Sequence, residues 1–272
     1  MFASLCIAMA LSQHPNNASL EQHYAAHTIE HAGRSYGYRL LSPEQSEQRR
    51  PLVVFLHGAG ERGDDNTSQL MYLPIRFVRD SHLRDRACYV LAMQCPRDDQ
   101  WATYNTRTTS PTNPTDAMTA LMAALNEVIA THQVDRSRIY LTGLSMGGYG
   151  SWDLAARHPE LFAAVVPICG GGHIDTAARL TDMPIWAFHG MDDNVVPEKQ
   201  SARMVEAIRQ AGGTPAYTTL EQVGHGSWHF AYGPQGAMEW MFAQRKSGHS
   251  EPQGNAQPSP TDEASSPTGS SN

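Results

Sequence analysis

The sequence predicts an α/β fold, a doubly wound and mostly parallel sheet of about eight strands with helices on both faces. Three observations lead there. Short apolar runs rich in Val, Ile, Leu and Phe recur along the chain with little internal alternation, as strands covered on both faces require. Helix-like stretches separate them, with apolar residues spaced three and four apart. A serine flanked by glycines, Gly143-Leu144-Ser145-Met146-Gly147, stands where one apolar run stops and a small-residue segment (Gly148, Gly150, Ser151) begins.

Taken in order, strands are expected at about 34–42, 51–57, 87–94, 138–143, 163–169, 184–189 and 216–221, and helices at about 115–132, 146–157, 198–211 and 234–245. Pro114-Thr115-Asp116 precedes the periodic apolar positions Met118, Leu121, Met122 and Leu125, a helix-start signal. Pro197-Glu198 opens the next helix but one, which stops at Gly212-Gly213. The methionines in these patterns read as core filler. His23, His27 and His31 recur every four residues, as ligands on a helix would, but 28–40 reads as the approach to a strand, so no metal site is expected there. Only about fourteen residues separate Ile168 from the next strand, too few for a lid domain. One domain is expected over 23–246, with 1–22 and 247–272 outside it.

The glycine-flanked serine has a chemical reading. Such a turn between strand and helix holds the serine Oγ clear of the sheet, and a side chain at 143 or 147 would strike its neighbours. A serine hydroxyl is a weak nucleophile near neutral pH. It needs an imidazole to take its proton and a carboxylate to orient that imidazole. Both follow in chain order on post-strand loops: Asp192 and Asp193 after 184–189, and His225 after 216–221. Other histidines compete for the base, since the chain has 13. His57 and His189 close buried strands, and His229 suits the cleft wall or packing on Trp228. His225 is the expected base. A tetrahedral intermediate also needs amide donors for its oxygen, and Met146, following the serine at a helix start, supplies one.

The combination of His57-Gly58-Ala59-Gly60, Gly143-Leu144-Ser145-Met146-Gly147, His189-Gly190-Met191-Asp192-Asp193-Asn194-Val195-Val196-Pro197 and Gly224-His225 with Ser227-Trp228 close behind resembles the α/β-hydrolase superfamily. Within it the chain is similar to the small carboxylesterase branch that holds feruloyl-esterase-like, dienelactone-hydrolase-like and predicted-peptidase members. The similarity runs from about Arg34 to Arg245. It implies Asp193 rather than Asp192 as the acid, since the pattern HGxxDxxVP lands there. It implies Ala59 as the second oxyanion donor, with Gly60 as the fallback, and His57 as the residue that holds this loop. The expected activity is cofactor-free ester hydrolysis through an acyl-enzyme, on short-chain, aryl or polysaccharide-linked esters. A serine peptidase and a non-catalytic binding protein on the same fold are the alternatives. Glu61 to Leu73, Trp101 with Tyr104, Gly170 to His173, and Trp228 are expected to wall the cleft, with simple anchoring the alternative for Trp101.

Composition sets outer limits. A net charge of −7, from 27 acidic and 20 basic residues, argues against nucleic acid and anionic membranes as partners. No phosphate loop or dinucleotide fingerprint occurs, and no run reaches the roughly 20 apolar residues of a membrane span. Met1 to Leu11 resembles the core of a secretory signal without its basic leader, so export is expected, with a cytoplasmic location the alternative. The Ser/Pro/Thr-rich stretch from Ser247 is expected to be disordered. Cys6, Cys88, Cys95 and Cys169 suggest no disulfide framework, and nothing in the sequence indicates the oligomeric state.

Overall fold

The apolar runs become one eight-stranded sheet in the computed structural model, which describes residues 20–44, 47–103 and 113–246. The strands are β1 (Tyr24–His31), β2 (Arg34–Leu41), β3 (Arg50–Leu56), β4 (Tyr89–Met93), β5 (Val134–Leu144), β6 (Ala164–Ile168), β7 (Trp186–Gly190) and β8 (Ala216–Leu220). Their order across the sheet is β1-β2-β4-β3-β5-β6-β7-β8. The β1–β2 and β2–β4 pairs are antiparallel, and every pair from β4 to β8 is parallel. The helices are α1 (Leu73–Arg79), α2 (Ser81–Arg84), α3 (Asp116–Thr131), α4 (Met146–Arg157), α5 (Lys199–Gln210), α6 (Trp228–Ala231) and α7 (Ala237–Ala243).

Two cores lie on the two faces of this sheet, and β3 shows why its sequence does not alternate. Leu52, Val54 and Leu56 pack into one cluster with Met118, Leu121 and Leu125 of α3 and Met204 and Ile208 of α5. Val53 and Phe55 pack into the other with Leu73 and Phe77 of α1 and Met238 and Met241 of α7. Both sets are fully buried, so both phases of the strand must be apolar. α3 starts as its sequence predicts, with the Thr115 hydroxyl accepting from the Met118 amide at 3.1 Å.

Two regions depart from expectation. The segment before residue 34 is a strand of its own: β1 turns into β2 through Ala32 and Gly33, both at positive φ, and pairs along its full length. In an extended strand, residues four apart lie about 13 Å apart, so His23, His27 and His31 cannot share an ion. His27 stacks on Tyr38 with ring centroids 4.9 Å apart, and His31 lies 3.4 Å from Asp116. Between β3 and β4 the chain forms α1 and α2, helices too short to show a periodic pattern. The expected signal-like segment with Cys6, the wall residue Tyr104 and the tail from Ser247 lie outside the described residues. Among the described residues, no helix is long and apolar enough to cross a membrane.

The joint between β5 and α4 has no spare volume. A Cβ built on Gly147 would lie 1.9 Å from the carbonyl oxygen of Leu56, and one on Gly143 would lie 2.4 Å from the carbonyl oxygen of Gly147. Both obstacles are backbone, which no rotamer change relieves. Gly147→Ala should therefore destabilise by about 3 kcal/mol or more, the upper end of overpacking costs. Urea unfolding of the variant measures this, and a loss under about 1 kcal/mol would contradict the packing argument.

Candidate active site

Three loops at the carboxyl ends of β5, β7 and β8 meet over the sheet. Ser145 follows β5 directly and caps α4 with φ 53° and ψ −116°. A non-glycine residue held there stores on the order of 1–3 kcal/mol of strain. Its amide donates to Ile168 O at 3.0 Å, and the turn around it needs Gly143 and Gly147. The post-β7 loop and the post-β8 loop lie against each other. Asp192 N donates to Val223 O at 3.0 Å, and a side chain on Gly190 would come within 2.2 Å of the carbonyls of Val223 and Gly224.

These loops bring Ser145, Asp193 and His225 together. His225 Nδ1 lies 2.7 Å from Asp193 Oδ2, and its Nε2 lies 2.9 Å from Ser145 Oγ. The carboxylate accepts at Nδ1, so that nitrogen carries the proton and Nε2 faces the serine hydroxyl as acceptor. Asp193 is buried, and its Oδ1 accepts from the amides of Val195 and Val196, each at 2.9 Å. Burial pushes its carboxyl up, but the bond from His225 and the two amides outweigh that and hold it below the usual carboxylate range. Asp192 is exposed and takes no part.

The oxyanion positions follow from helix ends. Met146 opens α4 and Ala59 opens a short 3₁₀ turn, Ala59–Glu61, so neither amide has an acceptor within its own helix. Gly58, before Ala59, approaches the nucleophile turn: a Cβ there would lie 3.7 Å from Ser145 Cβ. Gly60 is exposed, and a Cβ built on it would meet nothing within 4 Å. His57 holds this loop from beneath. Its Nε2 accepts from Cys95 N at 2.9 Å, so Nδ1 carries the proton and donates to Gly58 O at 2.6 Å. Burial pushes its pKa down to about 4, so the ring stays neutral.

Trp101 requires a correction. Expected as a substrate-binding wall, it is fully buried, with Nε1 donating to His57 O at 3.0 Å and the ring packed edge-on to His57. It anchors the loop and presents no surface to a cleft. Trp228 is half-buried and stands T-shaped against His225, with centroids 5.4 Å apart. Tyr72, which lies within the expected wall loop but was not singled out by any pattern, packs on Trp228 at 5.2 Å. It sits at φ 63°, and no sequence signal marks an aromatic residue for that conformation. His229 is exposed, with its ring centroid 5.7 Å from that of Trp228 and 6.2 Å from that of Tyr72.

One group of side chains among the described residues has metal-ligand chemistry in one place: atoms of Cys169, Asp193 and His225 lie within 4.8 Å of one another. Asp193 and His225 already bond each other, and burial pushes the Cys169 thiol up to about 12. The carboxylate is thus engaged by the imidazole, and the third group is a thiol that keeps its proton. Cys88, Cys95 and Cys169 are all buried and free.

Fold and site together define an α/β-hydrolase. The sequence profile of the phospholipase/carboxylesterase family matches residues 41–231, and the chain belongs to that family. It is similar to the crystal structure of a thermostable esterase, at 38% identity and a TM-score of 0.77, over 84% of this chain and 64% of that one. It is also similar to NocK of Nocardia uniformis subsp. tsuyamanensis, provisionally named an esterase, at 30% identity over 145 residues, 51% of this chain and 39% of that protein. A shorter match, 48% identical over 42 residues, is to poly(3-hydroxyalkanoate) depolymerase C of Paucimonas lemoignei, 15% of this chain and 10% of that protein. The chain thus spans under half of either curated relative.

The buried imidazole of His57 links acid to stability. Its folded value of about 4 lies below the ordinary 6.5, so between those pH values the unfolded chain binds a proton that the folded chain refuses. Stability therefore falls as pH drops through this window and levels below it, by on the order of 3 kcal/mol in total. His57→Gln should flatten that part of the urea stability profile between pH 4 and 6.5. An unchanged slope would count against a neutral buried ring.

Proposed function

We propose that the chain is a serine carboxylic-ester hydrolase. The observation that carries this reading is the continuous relay Asp193–His225–Ser145, with bonds of 2.7 and 2.9 Å, beside the helix-start amides of Met146 and Ala59. Ser145 Oγ attacks the ester carbonyl while His225 Nε2 takes its proton. The carbonyl electrons move onto oxygen, where the amides of Met146 and Ala59 receive the charge. The intermediate collapses, the alcohol leaves with the proton from His225, and Ser145 carries the acyl group. Water then repeats the sequence, with His225 as base and then acid, and the free acid departs. Asp193 keeps the imidazole in its Nδ1–H tautomer and stabilises the imidazolium.

For the substrate, we propose a short-chain, aryl or polymer-linked ester, of feruloyl or acetyl type. The chain between β6 and β7 is a loop and one short 3₁₀ helix, Ile174–Leu180, without a covering domain. Trp228, against His225, and Tyr72, packed on Trp228, provide apolar faces suited to an aryl or alkyl group. The short similarity to a polyester depolymerase is in keeping with a polymer-linked ester.

Ser145→Ala should lower kcat on p-nitrophenyl acetate on the order of 10⁶-fold, the loss typical of a nucleophile within such a relay. A fluorophosphonate probe should leave one adduct on the wild type, mapped by mass spectrometry to Ser145, and none on the variant. Hydrolysis retained by Ser145→Ala, or an unlabelled but folded wild type, would dispose of the reading. Rates on acetyl, butyryl, octanoyl and feruloyl esters then rank the acyl groups.

A further inference from the structure

The carboxylate of Asp193 faces two imidazoles, and the mechanism above uses only one. His189, the penultimate residue of β7, is completely buried. Its Nε2 lies 2.8 Å from Val196 O and 3.3 Å from Asp193 Oδ2, the same oxygen that His225 Nδ1 contacts at 2.7 Å. On the other side of the ring, Nδ1 lies 2.8 Å from Ser201 Oγ of α5, and Ser201 Oγ lies 2.8 Å from Gly170 O.

Proton placement follows from these partners. Both neighbours of Nε2 are acceptors, so Nε2 must carry a proton. Burial disfavours the imidazolium and holds the ring below the ordinary histidine range, so Nδ1 is bare. The Ser201 hydroxyl donates to Gly170 O and packs against Nδ1 at 2.8 Å, which fixes that side of the ring. The groups that bear on this ring electrostatically are Asp193, the more distant Glu198 at the start of α5, and His225. Glu198 also holds the Tyr217 hydroxyl, so its charge is partly engaged elsewhere.

We propose that His189 is a positioning residue for the reaction above: its Nε2–H donates to Val196 O and stands 3.3 Å from Asp193 Oδ2, closing the acid loop and drawing part of the carboxylate charge away from His225. The inference rests on the proposed relay and adds a second donor to it. That donor is fixed in space, because Ser201 clamps the opposite side of the ring to α5. Two consequences distinguish this role from packing alone. Without the donor, the Asp193 charge concentrates on His225, and the acid-side half-point of the kcat/KM profile moves to higher pH. The proton shared by His225 Nδ1 and Asp193 also changes its environment, which its low-field NMR resonance reports.

The test compares His189→Leu, which removes the donor, with His189→Gln, whose side-chain amide can reach the same acceptors. For His189→Leu we expect an upward displacement of the acid half-point by on the order of half a pH unit, the scale of one long charge-assisted bond. A moved low-field resonance should accompany it. For His189→Gln we expect both quantities to return most of the way to wild type. A folded His189→Leu protein with the wild-type profile and resonance would overturn the proposal. Should that variant not fold, Ser201→Ala releases the ring from its clamp and must show the same displacement in smaller degree; a wild-type profile there overturns it equally. An inactive wild type would instead overturn the proposed function, and the resonance would then decide the role of His189 alone.

Discussion

The first turn of α4 passes so close to β3 that backbone meets backbone. The carbonyl of Leu56 occupies the space a side chain on Gly147 would need, at 1.9 Å. This approach places the start of α4 over the end of the sheet, which sets where Ser145 and Met146 stand. The strain at Ser145, with φ 53°, is the local consequence. It persists because the packing on either side of the turn over-determines it: β5 pairs with both β3 and β6, and the Ser145 amide is fixed to Ile168.

A second constraint concerns charge. A carboxylate with a fully buried side chain is costly unless every lone pair is used. Asp193 meets this with two amides on one oxygen and two imidazoles on the other. The two amides belong to residues two and three further along the chain, so a tight loop creates its own acceptor sites. Gly190 allows that loop to press on the one bearing His225. Geometry and solvation are thus met by the same short segment.

Most of the parallel sheet was legible in the sequence because burial on both faces leaves unbroken apolar runs, as in β3 and β6. The convergence of Ser145 and His225 was legible because the chemistry proposed for them calls for residue type, order and glycine spacing together, while the choice of Asp193 over Asp192 came from the family resemblance. The hidden parts share a different physical cause. β1 is an edge strand with one fully buried residue, Tyr24, so its sequence has neither an apolar run nor a clean alternation. Trp101 stood out as an aromatic residue in a polar loop, and its composition said nothing about which way it pointed; a bond to His57 O turns it inward. Tyr72 depends on a backbone conformation that no side chain announces. α1 and α2 are held by tertiary packing through Leu73, Phe77 and Leu83 and need no strong local propensity.

Three histidines at strand ends show how burial divides one residue type among different tasks. His57 follows β3 and His189 lies at the end of β7, both fully enclosed and each held through both ring nitrogens. His57 steadies the loop that carries Ala59, and His189 steadies the loop that carries Asp193. A proton gained by His57 would break its bond from Cys95 N, and burial opposes a charge on either ring. His225 is built otherwise: its side chain keeps partial exposure, and one nitrogen faces a hydroxyl that can give up its proton. The proposed chemistry needs one imidazole that changes charge and two that never do. Solvent access, set by strand position and not by sequence motif, is what separates them.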